Sequence, residues 1–489
     1  MKVIILGCGG VGKCVLYYLP RFLHVSYENV YVIDKQIKPK SFPSVERAIK
    51  KGATYIHMEV TPKNFEYLLV NKIKCQKGDL ILDLTTRLDC NSIYKVSRRL
   101  QLHYINTSIE QADVEDLSKV EPIWMQHAKI REIAQRTTHY GDITSCIEMG
   151  MNPGLISIFV KQGIIDIARY IIKNKQTTTK ADQQMIKSLR EFVRSRDYRR
   201  IGELLQINTI HCSEIDTQTY EAGHHRAFLN TWSCLGLVDE AFENVELSMG
   251  THEKQIPFKD KDVEEIVPGL VTIAKPSSRT TFRSYLPKAY NPETNEIEFT
   301  EIKGRAIHHG ETISLNRFLA TDTWVPTMHY VYQMSPQTRK AMDRLTEKQL
   351  VDISNDTRKW KVLNMHDDQL NGTDNVGATF FLAKNPITGE NKPWAYWCGT
   401  MLDTNYTKKV LKDPYFGPTT IQVIAGMLSA AKYALKYPNK DLLFPEDIPE
   451  TFILKHAKRY LGKIYSGPIS GCKIRGTTMK QLFVGISRK

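Results

Sequence analysis

The sequence has no C-x-x-C pair, no repeat of solenoid or propeller period, and no low-complexity tract beyond Thr177-Thr178-Thr179. Its longest apolar runs, such as Val3-Ile4-Ile5-Leu6 and the stretch near Ile421, fall far short of the about 20 residues of a membrane span. The chain therefore reads as soluble. The nine cysteines are odd in number and lack zinc-ligand spacing, which argues against a disulfide scaffold and for a reducing compartment, the cytoplasm. The four Asn-x-Ser/Thr matches, at Asn106, Asn355, Asn371 and Asn405, then read as coincidences. Neither histidine pair, His224-His225 nor His308-His309, has the i, i+4 spacing of a helical metal site, so no metal is expected. The start, Met1–Gly7, lacks a small-residue cleavage site and reads as structure rather than as a signal peptide.

What is present is ordinary globular material, with 42% hydrophobic and 25% charged residues over 489 positions. Lysine and arginine exceed aspartate and glutamate by 67 to 53, a net charge of +14. The basic residues are spread out. Their densest stretch, Lys187 to Arg200, would leave most of its charges on a solvated helical face, so nucleic-acid binding is not the reading.

The first 110 residues alternate strand-like and helical segments. Val3–Leu6, Val30–Ile33, Thr54–His57, Leu80–Leu84 and His103–Asn106 read as strands, and Val11–Leu23 as a helix. That rhythm predicts a Rossmann-type, doubly wound parallel sheet. After Asn152-Pro153-Gly154 the texture changes to α+β. Leu155–Ile172, Ser188–Leu205 and Thr419–Tyr437 read as helices, with strands at Ile207–Cys212, Leu270–Ala274 and Glu296–Ile302. The expected division is 1–151 for a nucleotide-binding domain and 152–489 for a larger substrate and dimerisation domain, part of which packs back on the first.

Gly7-Cys8-Gly9-Gly10-Val11-Gly12 follows the first strand and opens the first helix. Gly7 permits the tight turn, Gly9 lets the backbone approach a pyrophosphate, and Gly12 lets the helix pack close to the sheet. Asp34 closes the second strand 22 residues after Gly12, where an acid holds the adenosine ribose. Strand, turn, helix, strand and acid together predict dinucleotide binding. The Asp34 carboxylate would repel a 2′-phosphate and favours NAD over NADP, although Lys35, Lys38 and Lys40 stand nearby.

Acids occur in positions of interest further on. Glu110 follows the fifth strand, at the edge of a parallel sheet that normally receives ligand. Glu214 and Asp216 follow the strand Ile207–Cys212. Glu240 ends an apolar stretch containing Trp232, and Asp374 lies between two polar, glycine-rich turns. Taken singly, each acid reads first as a solvated loop residue or helix cap and only second as a site residue, Trp232 as core, and His309 as part of a turn.

Together they resemble a family. The glycine fingerprint, Gly150-Met151-Asn152-Pro153-Gly154, His211-Cys212-Ser213-Glu214-Ile215-Asp216-Thr217-Gln218, Asn230-Thr231-Trp232-Ser233 and His309-Gly310-Glu311-Thr312-Ile313-Ser314 are similar to bacterial-type homospermidine synthase, itself related to saccharopine dehydrogenases. The resemblance runs from Gly7 to about Gln422, with Gly310 standing where the family often has Asn. It implies an NAD-dependent homodimer that condenses two putrescines into homospermidine and ammonia. It further implies that Trp232 faces a cationic intermediate and that Glu240 takes part in catalysis. Glu110, Glu214 and Asp374 are implied as substrate carboxylates, with Asn152 and His309 completing the pocket. Either Glu240 or His309 is then the base. Two rival readings are a reductive condensation enzyme of the carboxyspermidine or saccharopine type using NAD(P)H, and a non-catalytic NAD-sensing or nucleic-acid-binding protein.

Overall fold

The computed structural model describes residues 1–36, 42–86, 88–109, 111, 120–136, 143–220, 227–229, 232–259, 262–267, 269–343, 361–363, 370–413 and 415–487. The apolar tetrapeptide Val3–Leu6 forms β1, buried on both faces. The chain turns through the glycines into α1, Gly10–Leu23, and returns as β2, Val30–Asp34. β3 (Thr54–His57), β4 (Leu80–Asp83), β5 (His103–Asn106) and β6 (Thr144–Cys146) follow. They pair in parallel in the order β6-β5-β4-β1-β2-β3, the doubly wound arrangement that the alternation predicts. β6 was not legible as a strand, because three residues give no period to read.

α2, Leu155–Asn174, is apolar enough to be buried along most of its length. The charged region that reads as one helix is two, Lys180–Ser195 and Tyr198–Leu205. Arg196 breaks it with a left-handed backbone (φ 56°), and Asp197 caps the second helix by accepting the Arg200 N–H. β7, Ile207–Asp216, runs four residues beyond its expected end. Glu214 and Asp216 therefore lie in the strand and not after it. Next come α3 (Cys234–Phe242), β8 (Asn244–Ser248), a long hairpin (Thr280–Asn291 with Glu296–Ile307), α4 (Glu311–Leu319) and β9 (Thr327–Gln333). Asp374 is likewise within a strand, β10 (Thr373–Leu382), and not between turns. Cross-strand pairing supplied the order that the polar flanks concealed.

β8, β9, β7, β10 and β11 (Trp394–Asp403) lie side by side in the middle of a second, mixed sheet. β9 and β7 are parallel, while β7 and β10 are antiparallel. Helix α2 covers one face, where Cys212, Ala378 and Phe380 join its core. The hairpin covers the other, where Ile215, Phe381 and Trp397 pack with Phe282 and Tyr285. With both faces covered, β7 is buried almost throughout.

α5, Pro418–Lys436, joins the two sheets, since it packs on α1, on β5 and β6, and on β10. Gly426 lies so close to the Gly150 carbonyl that a Cβ would collide with it. After α5 the chain adds a seventh parallel strand, β12 (Asp441–Leu443), beside β6. Arg98 pairs with Asp441 and fastens this strand to the helix Cys90–Arg99. Among the described residues, no helix is long and apolar enough to cross a membrane. Among the described side chains, no cysteine is in a disulfide.

Candidate active site

The glycine turn has the geometry that its residues require. Gly7 has φ +89°, and a Cβ there would strike the Leu84 carbonyl. A Cβ on Gly12 would strike the Gly7 carbonyl, whereas at Gly9 nothing lies within 4 Å. The turn is thus tight on its inner side and open on its outer side, at the positive end of α1. Gly10 begins that helix. Asp34 turns back toward it, its Oδ2 accepting the Cys8 N–H at 2.5 Å and its Oδ1 the Gln36 N–H at 2.7 Å. An open backbone cradle with a carboxylate at the next strand end fits a dinucleotide.

β6 leads into Gly150–Gly154, a loop closed by Gly150 N–H donating to the Pro153 carbonyl at 2.9 Å. The loop holds Asn152 toward the second sheet, where its Nδ2 donates to Glu214 Oε2 and to the Tyr330 hydroxyl, both at 2.5 Å. Tyr330 on β9 also donates to Glu214. Asp374 stands directly opposite Asp216 across the β7–β10 pair, so Glu214, Asp216 and Asp374 share one face. Thr419, in the first turn of α5, donates to Asp374 Oδ2 at 2.5 Å, and Gln218 donates to Asp216 through its N–H and Nε2 at 2.8 and 3.0 Å. Asp374 Oδ1 is buried with no hydrogen-bond partner among the described residues.

Three carboxyls this close and this dry cannot all ionise without a counter-charge. Burial pushes Asp374 up to about 6. Burial, reinforced by Asp374, drives Glu214 and Asp216 well above the ordinary carboxylate range. The cluster is short of positive charge and has an unfilled acceptor.

His309 lies flat on Tyr330, between Glu240 (Nε2 to Oε2 3.5 Å) and Glu311 (Nδ1 to Oε1 3.3 Å). Burial works against its protonation. Glu311 and Glu240 outweigh that penalty and hold the imidazole well above its usual pKa. Glu240 projects from α3, and Trp232 precedes that helix with its indole resting on Gly236, where no Cβ would fit.

Several of these groups line a two-lobed cavity. One lobe, about 720 Å³, runs from Val11 beside the glycine turn past Asn152 to Glu214, Asp374 and Thr419. The other, about 760 Å³, holds Glu148, Asp239, Glu243 and His308. Trp232, Glu240, His309 and Pro153 belong to both. Among the described residues, neither Lys nor Arg lines either lobe. Glu110 lies outside the described residues, as do Lys38 and Lys40.

Asn152, Glu214, Trp232, Glu240, His309 and Asp374 are therefore brought to one cavity, with Val11 at its edge. Sequence reasoning missed Tyr330, Glu311, Thr419 and Glu148. Glu311, inside the His309–Ser314 motif, carried a signal. A strand tyrosine and a helix-start threonine carried none.

Comparison with known proteins agrees with this architecture. Residues 3–140 match the saccharopine dehydrogenase NADP binding domain. Homospermidine synthase from Blastochloris viridis is 24% identical over 474 residues, covering 94% of this chain and 90% of that protein. Homospermidine synthase from Mesorhizobium japonicum is 22% identical over 479 residues, covering 94% and 89%. The crystal structure of homospermidine synthase from Legionella pneumophila in complex with NAD superposes with a TM-score of 0.75, at 22% identity, over 99% of this chain and 98% of that one. Saccharopine dehydrogenase (L-Glu forming) from Saccharomyces cerevisiae superposes with a TM-score of 0.51, at 11% identity, over 96% of this chain and 100% of that one. Over nearly its whole length, this chain is similar to the homospermidine synthases and shares their fold.

Proposed function

We propose that the chain is a homospermidine synthase that condenses two putrescines into homospermidine and ammonia, with NAD regenerated within the cycle. One observation carries the reading: Glu214 and Asp374, two members of a buried cluster of three carboxyls without a cation, line a cavity with Trp232, Glu240 and His309, and that cavity reaches the glycine turn. A diamine carries two ammonium groups, so its site must offer carboxylates and an aromatic face.

Gly7, Gly9, Gly10, Val11, Gly12 and Asp34 are the residues that would hold NAD. Bound there, NAD would supply a hydride acceptor for oxidation of the first diamine and a hydride donor for reduction of the condensed imine. Glu214 and Asp374 receive the distal ammonium, with Asn152 and Tyr330 fixing the first of them. Glu110 is assigned to substrate through resemblance alone. Trp232 offers its face to the cationic carbon–nitrogen centre. The carbon that gives up hydride must carry a neutral amine, and the Glu240–His309 pair is the acceptor for that proton. The reading extends to a cytoplasmic homodimer, with residues 1–151 as the cofactor domain and 152–489 as the substrate and dimerisation domain.

The rival, a reductive condensation on a carboxylated substrate, needs Arg or Lys in the pocket, which the described lining lacks. Incubation with putrescine and NAD⁺, with mass detection, separates the two. Homospermidine and ammonia should form one for one, and NADH should stay at or below the enzyme concentration. Steady stoichiometric NADH would sink the proposal.

A further inference from the structure

We infer that Glu243, His308 and Glu246 form a proton relay that serves Glu240 and His309; the inference rests on the homospermidine synthase reading. Its basis is a duplicated geometry. Helix α3 sets Glu240 one turn before Glu243, which immediately follows the helix, and the adjacent His308 and His309 leave the long hairpin together. His309 Nε2 is 3.5 Å from Glu240 Oε2, and His308 Nε2 is 3.7 Å from Glu243 Oε2. Behind them, His309 Nδ1 is 3.3 Å from Glu311 Oε1, and His308 Nδ1 is 3.4 Å from Glu246 Oε1. Each imidazole therefore stands between two carboxyls, and Glu240, Glu243, His308 and His309 all line the same lobe.

The first pair touches the substrate lobe. The second does not, since neither Glu243 nor His308 lines it. Binding of the diamine by Glu214 and Asp374 gives no reason for the second set. Glu246 on β8 is buried, with Oε1 accepting the Ile123 N–H at 2.9 Å and Oε2 without a hydrogen-bond partner among the described residues. The His308 Nδ1 side also faces the Asn244 carbonyl, at 3.2 Å.

The reaction needs a place to keep a proton. The reacting ammonium gives up one proton to become an amine, and the ammonia that leaves later takes one up as ammonium. Between those events the proton must move off the Glu240–His309 pair, or that pair cannot deprotonate the second amine. In the relay, the O–H bond of protonated Glu240 breaks and an O–H bond forms on Glu243 through water in the shared lobe. His308 and Glu246 spread the added charge, and the proton returns by the reverse path. No electrons change hands. Burial lifts Glu243 to about 7, with His308 opposing and Glu240, Asp239 and Glu246 adding to the rise, which suits a group that loads and unloads near neutrality.

The test is Glu243→Gln, with His308→Gln as its companion. Glu243→Gln should lower kcat by about tenfold or more in dilute buffer, and leave the putrescine KM within about twofold. Raising imidazole buffer at constant ionic strength should restore much of the rate, while the parent enzyme stays indifferent to buffer. A Glu243→Gln kcat within about twofold of the parent in dilute buffer overturns the relay, and so does a loss that no buffer restores. A second measurement needs no turnover. In protein with ¹³C-labelled glutamate carboxyls, Glu240→Gln should lower the titration of Glu243, and an unmoved Glu243 overturns the linkage. Failure of the parent protein to convert putrescine would count against the enzyme reading, and the Glu243 titration would still decide the relay.

Discussion

The His309 imidazole stacks on the Tyr330 ring, with centroids 4.2 Å apart and planes 22° from parallel. The same tyrosine donates its hydroxyl proton to Glu214, so one residue supports both His309 and the carboxyl cluster. Tyr330→Phe keeps the stack and removes the hydroxyl. A hydrogen bond to a charged group is worth about 1.5–3 kcal/mol, so the putrescine KM should rise about tenfold or more, with a smaller change in kcat. Tyr330→Ala should lower both. Steady-state kinetics on folded variants would check the split.

The carboxyl cluster should make diamine binding depend on pH. Asp374, raised to about 6, and Glu214 and Asp216, raised well above the ordinary carboxylate range, hold protons that a dication must displace. Binding should release protons and weaken as pH falls through about 6, and calorimetry in buffers of different ionisation enthalpy measures that release. The sign for stability is the opposite of a salt-bridged acid. A raised folded pKa means that stability is lost as pH rises from the unfolded carboxyl pKa through the folded one. Asp374→Asn should therefore raise the melting temperature of the ligand-free protein at pH 8 while impairing putrescine binding. A lowered melting temperature there would show that the acids are not in conflict.

Glu240 belongs to another class. Glu240→Gln should lower kcat by about 10²-fold or more, whereas Glu214→Gln and Asp374→Asn chiefly raise KM. Equal kcat losses at all three positions would contradict the division.

Trp232 should obey the order Trp, Phe, Ala in kcat, with Leu near Ala, because a desolvated cation–π contact is worth about 2 kcal/mol or roughly thirty-fold in rate. Leu matching Phe would mean that packing is its whole contribution. Gly236→Ala offers an independent check. Its methyl would displace the indole without removing it, so kcat should fall while Trp232 is intact.

Asp34→Ala should weaken NAD binding about tenfold or more, since two ribose hydrogen bonds to a carboxylate are at stake. Isothermal calorimetry reads it directly. Because Asp34 also anchors the Cys8 N–H, Asp34→Asn should recover part of the loss by keeping an acceptor for that donor.

The features legible in the sequence alone are local ones. Gly7, Gly9 and Gly12 require a particular backbone, Asp34 ends an apolar strand, and short apolar segments alternating with helices admit little except a parallel sheet. Each of those readings needs only neighbours within one strand–turn–helix unit. The family resemblance supplied the membership of the site, because six scattered residues have no common period. Tertiary structure decided the rest. Asp216 meets Asp374 only because β7 and β10 pair in one register, and a slip of one residue in either strand would leave the two acids on opposite faces of the sheet. Tyr330 and Thr419 reach the acids from β9 and α5, and β12 returns from the far end of the chain to finish the first sheet. The depth of burial that lifts Glu214 and Asp374 comes from α2, α5 and the neighbouring strands together. A carboxyl's charge state is a property of that enclosure, which no stretch of sequence contains.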